Sequence, residues 1–131
     1  METDKRFNLF YDALKDEYKS YVEDVVKSLG FLIVAIGWIM TSEGARSYLA
    51  SPRVNGFALA CTLLLAACNF AVYIGHYLRS ARLKKQLLLQ DPEASELVAN
   101  YALSPLHIAI NSVTIAGLFV FLAVQVVALE K

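Results

Sequence analysis

Three apolar runs divide the chain, and the central one is the clearest. Residues 54–78 carry no formal charge, and they lie between Arg53 and a cluster of Arg79, Arg82, Lys84 and Lys85. As a helix rising about 1.5 Å per residue, the run reaches roughly 37 Å, more than the ~30 Å hydrocarbon core of a bilayer. A soluble helix of that length would show a charged face at 3.6-residue spacing. This one offers only Asn55, Thr62, Asn69 and His76 as clearly polar positions. The pattern predicts a transmembrane helix.

The first run, 28–42, covers only about 22 Å at helical rise. It becomes a span over 28–48 if Lys27 and Glu43 snorkel toward the two surfaces and the helix continues through Gly44, Arg46 and Tyr48. Ser51-Pro52 then ends it, because proline cannot continue a helix and disfavours the α region in the residue before it. The third run, 105–129, opens at Ser104-Pro105 and is closed by Glu130 and Lys131.

Upstream of the first span, residues 1–27 read as an amphipathic helix without glycine or proline. Phe7, Leu14, Tyr21 and Ser28 recur every seven residues, as do Tyr11, Tyr18, Val25 and Leu32, and together they make a 4-3-4-3 seam that enters the first span unbroken. Charges occupy the other faces, with Asp12 placed to meet Lys15 at i+3. Between the second and third spans, 79–104 reads as a basic loop. In it Asp91-Pro92-Glu93 has the order of a cap, a first-turn proline and an acidic second position, and predicts a short helix to about Leu103.

The expected fold is therefore an all-α membrane protein: three transmembrane helices in one domain, 1–131, with an N-terminal amphipathic cytoplasmic helix continuous with the first span. Composition agrees, since 131 residues at 57% apolar content and a mean hydropathy of +0.48 suit a few spans and short connections rather than a soluble domain. Lys plus Arg equals Asp plus Glu at twelve each, so no global bias points to nucleic acid. The local bias is informative. Nine of the twelve Lys and Arg lie in the N-terminal segment and the second loop, which predicts a cytoplasmic N-terminus and an extracytoplasmic C-terminus. Acidic residues mixed with the basic ones, and no small-x-small site after the first run, argue against a cleaved signal peptide. Cys61 and Cys68 sit seven apart on one helical face, where bridging each other is geometrically unreasonable, and read as packing residues.

Two stripes of small residues suggest how the spans pack. Gly30, Gly37 and Gly44 repeat at seven on the side of the first helix opposite the aromatic seam, and Ala67, Ala71 and Gly75 line one face of the second at spacings of four. Close backbone approach in lipid favours such stripes, so the glycines are expected to pack within the protomer against the second span. That leaves Phe7, Tyr11, Leu14, Tyr18, Tyr21 and Val25 as an assembly seam for a second protomer or another protein, or as a face lying in the headgroups.

No phosphate loop, zinc-protease motif, nucleophile elbow or acidic pair within a span appears, and no catalytic residue is assigned. The candidate chemistry is an intramembrane polar stripe: Asn69, Tyr73 and His76 on the second span, facing His107, Asn111 and Thr114 on the third. Interhelical hydrogen bonding is the simplest use of these groups. A proton or ion path is the sharper one, because histidine changes charge near neutral pH. A haem b held by His76 and His107 is a third, which needs both histidines at one depth. The functional expectation is a non-catalytic, self-assembling or accessory subunit of a membrane complex, with a homo-oligomeric ion or proton channel and a haem-binding anchor as alternatives. Expected partners are the lipid bilayer and a homo-oligomer or other membrane protein, without nucleic acid.

Overall fold

A computed structural model describes the backbone of residues 2–129, with side chains from Lys5 to Leu129. The expected closure of the last span by Glu130 and Lys131 lies outside the described residues. Every described element is helical: α1 (Glu2–Thr41), α2 (Glu43–Leu49), α3 (Pro52–Gln90), a 3-10 turn (Pro92–Ala94), α4 (Ser95–Ala99) and α5 (Pro105–Ala128). Three helices are long and apolar enough to cross a membrane, over Lys5–Thr41, Pro52–Gln90 and Pro105–Ala128. The protein is a membrane protein with transmembrane helices.

The chain forms two compact units, and both long helices contribute to each. The first unit comprises Met1–Asp24 and Val72–Ile110. In it the N-terminal part of α1 and the C-terminal part of α3 pair as an antiparallel hairpin, and the segment after Gln90 folds back on them. Leu14, Leu87, Ala94 and Val98 are its buried apolar centre, with Phe7, Phe10, Tyr11, Leu83 and Tyr101 packed around them. Asp91 caps the fold-back, accepting from the Glu93 N–H at 3.0 Å with Pro92 at the first position. The regular helix ends at Ala99 rather than near Leu103, because the chain turns there: the N–H groups of Tyr101 and Ala102 both donate to Val98 O. Ser80 Oγ then accepts the Leu103 N–H at 3.0 Å. Ser104 Oγ receives the His107 N–H at 3.2 Å, which starts α5.

The second unit comprises Val25–Ala71 and Asn111–Lys131. Leu32 and Ile39 of α1, Ala45 and Leu49 of α2, and Ile115, Phe119, Leu122 and Val126 of α5 are its buried apolar residues. Most of its large apolar side chains face outward, among them Val34, Trp38, Phe57, Leu64 and Val113. The first span is not one continuous helix. Ser42 takes an extended backbone (φ −100°, ψ 114°) and its side chain accepts from Ala45 N at 3.1 Å, so a serine that the uncharged run seemed to absorb instead caps a separate helix. Helical hydrogen bonds nevertheless bracket the break, from Ser42 N to Trp38 O and from Arg46 N to Ser42 O. Asn55 is 2% exposed, and its side-chain amide donates both to Leu49 O at the end of α2 and to Val126 O near the end of α5. An apolar groove of about 520 Å³ runs between α3 and α5, floored by Ala66, Ala116 and Ala123 and walled by Phe70, Phe119 and Val124.

Candidate functional site

The densest polar cluster in the first unit is built from two short repeats. On α1, Glu17, Tyr21 and Asp24 follow each other at four and three residues, and on α3 Tyr73, His76 and Ser80 do so at three and four, so each trio shares one helical face. The antiparallel pairing brings these faces together. His76 Nδ1 lies 2.6 Å from Glu17 Oε1 and its Nε2 lies 3.0 Å from Asp24 Oδ2. Arg79 Nε reaches the same Glu17 oxygen at 3.2 Å. Tyr21 meets the Tyr73 ring edge-on at 5.7 Å and the imidazole at 5.8 Å. His76 is 2% exposed.

This geometry constrains the protons. A neutral imidazole has one N–H and one lone pair, whereas an ionised carboxylate only accepts. Both contacts are satisfied together when the ring carries two N–H groups and donates one to each acid. The imidazole, itself buried, is the shared partner of both acids, which lets the cluster tie the two helices together.

The expected polar stripe is not one stripe. His76 turns to α1. His107 is exposed, and its Nδ1 lies 3.0 Å from Ser104 Oγ at the head of its own helix. The haem alternative needs a free nitrogen on each histidine, and both nitrogens of His76 lie within hydrogen-bond distance of carboxylates. Asn69 Nδ2 donates to Ser28 Oγ at 2.7 Å, not to Asn111 or Thr114, which are half-buried and exposed respectively. Tyr73 is buried against Tyr21. Among the described residues, no group of three or more His, Cys, Asp and Glu side chains forms a metal site.

The two faces of α1 are also exchanged relative to expectation. The assembly seam is used within the chain: Leu14 and Tyr21 are buried, Phe7 and Tyr11 pack around the Leu87–Val98 centre, and Tyr18 and Tyr11 each meet Tyr101 edge-on, at 6.1 and 5.8 Å. Val25 is half-buried. The glycine stripe is open instead. A Cβ at Gly30 or Gly37 would meet nothing within 4 Å, and one at Gly44 would meet only Ser42 Oγ at 3.8 Å. Ala67 and Ala71, the expected counterface, are exposed, and Gly75 has only the Arg79 side chain nearby, at 3.9 Å. The reason is the fold-back after Gln90: it supplies Ala94, Val98 and Tyr101 as partners for the aromatic seam, which a search for a partner among the spans alone does not find.

Sequence reasoning missed Glu17 and Asp24 as partners of His76, Arg79 as a partner of Glu17, and Asn55 as a link between α2 and α5. The signal was present in the 17, 21, 24 spacing, which places two acids on the buried edge of the seam instead of its solvated side. No family model matches the chain, and neither the curated proteins nor the solved structures contain a significant match.

Proposed function

We propose that this chain is a small integral membrane protein without catalysis of its own, acting as a self-assembling or accessory subunit of a membrane complex, with its N-terminus cytoplasmic and its C-terminus extracytoplasmic. The observation that carries this reading is the use of polar groups inside the protomer. A homo-oligomeric pore needs polar side chains turned toward a shared water path, whereas His76, Asn69, Asn55 and Ser80 all bond within the chain. The outward surface of the spans is mostly apolar, as suits lipid or a neighbouring helix. Nine of twelve basic residues in the N-terminal segment and the second loop support the orientation.

The test is reconstitution. Purified protein in liposomes, given a pH gradient and then a potassium gradient, should pass neither ion above protein-free vesicles, while mass measurement in nanodiscs should report assembly or capture of another membrane protein. Flux that scales with protein content would replace this reading with the channel.

A further inference from the structure

The hairpin of the first unit has one covered side and one open side. On the covered side Ala94 and Val98 lie against Leu14 and Leu87, and Tyr101 meets Tyr11 and Tyr18. Turning 100° per residue from the Tyr101-facing positions of α1, past Leu14 and Tyr21, leads to Leu9, Ala13, Asp16 and Ser20. The same construction on α3, from Ser80 past His76, leads to Arg79, Arg82, Gln86 and Leu89. The Arg79–Glu17 ion pair stands where these two rows meet. The rows are spaced 4-3-4 and 3-4-3, as helices in a bundle require. Leu9 is 67% and Leu89 76% exposed, and Asp16, Arg82 and Gln86 are exposed as well.

The hairpin register makes this face complementary to itself. Taken together, the Glu17–His76, Tyr21–Tyr73, Glu17–Arg79 and Asp24–His76 contacts set α1 against α3 so that Leu9 lies within a turn of the level of Leu89, and Asp16 within a turn of Arg82. Copies inserted in one bilayer share a direction, so a two-fold axis relating them runs along the membrane normal and preserves heights. The α1 row of one copy then faces the α3 row of the other. Leu9 comes beside Leu89 and Asp16 beside Arg82, each twice. Neither Asp16 nor Arg82 has an ion-pair partner among the described residues.

We propose that this open face is where a second copy of the chain docks, two hairpins closing into a four-helix bundle. The proposal rests on the self-assembly half of the reading above and names the surface that carries it. Opposite charges at matched height and leucines at matched height argue for a copy, because the face is complementary to itself at two positions on each helix.

The test uses charge reversal in the full-length protein, measured by dilution in liposomes with single-molecule photobleaching. Arg82→Glu alone sets acid against acid at both contacts, and Asp16→Arg alone sets cation against cation. Each should weaken dimerisation about tenfold. Mixed together, the two variants pair opposite charges at both contacts and should return to within about threefold of wild type. Variants that associate like wild type, or a mixture no tighter than its components, overturn the proposal. A wild type that stays monomeric overturns it together with self-assembly and leaves an accessory role; a dimer indifferent to both reversals keeps self-assembly and removes this face. Should a reversal impair folding, Leu9→Cys and Leu89→Cys placed on separate chains, in a Cys61→Ala/Cys68→Ala background, should cross-link when mixed, and failure to do so counts against the bundle.

Discussion

The two units solve opposite solvent problems with the same two long helices. In the first, Leu14, Leu87 and Val98 are withdrawn to the centre while Asp12, Lys15, Lys84 and Lys85 face outward, the arrangement water imposes on an amphipathic hairpin. In the second, Val34, Leu64 and Val113 face outward, and Asn55 and Asn69 turn inward to bond backbone or serine, the arrangement lipid imposes. His76 belongs to the first unit, with a carboxylate at each ring nitrogen. The difference teaches that burial means different things along one helix: apolar contact is the driving force at one end of α1, and polar satisfaction governs the other.

Breaking the cluster should produce the largest effect. His76→Leu removes the buried imidazole that both Glu17 and Asp24 share, and should lower stability by about 3 kcal/mol in an SDS or urea titration of the detergent-solubilised protein. A matched pair of truncations compares the units directly. Leu14→Ala opens a cavity in the hairpin and should cost about 3 kcal/mol, whereas Leu64→Ala, at a residue 65% exposed, should stay within about 0.5 kcal/mol. Equal losses at both sites would mean that Leu64 is covered in the native assembly. The smallest effect is expected at Gly37, where an added methyl meets no atom within 4 Å. Gly37→Ala should be neutral or stabilising by up to about 1 kcal/mol, from helix propensity alone. A clear destabilisation there would show that another backbone approaches the glycine stripe in the assembled protein.

Much of the architecture was legible because it depends on local chemistry. Uncharged runs, Pro52 and Pro105 as boundaries, and Asp91 as a cap each act within a few residues. Ser42 was misjudged since one serine in an apolar run is equally compatible with continuing a helix or capping the next. The site was less legible because its partners lie far apart in sequence: His76 and Glu17 are separated by 59 positions, and periodicity says which residues share a face but not what that face meets. The exchange of roles between the aromatic seam and the glycine stripe has the same cause. Both faces were identified from spacing, and the fold-back of Val98 and Tyr101 decided which one was covered.

The two hydrogen bonds of Asn55 carry a consequence for the order in which the protein is made. Its bond to Leu49 joins neighbours six residues apart and is available as soon as α3 begins, but its bond to Val126 bridges 71 residues. During synthesis the first two spans must therefore enter the bilayer with this amide half satisfied, and they stay so until nearly the last turn of α5 has emerged. Asn55 is a late fastening, closed by the third span upon the beginning of the second, and a nascent protein arrested before α5 would expose that amide to whatever machinery guards unfinished membrane proteins.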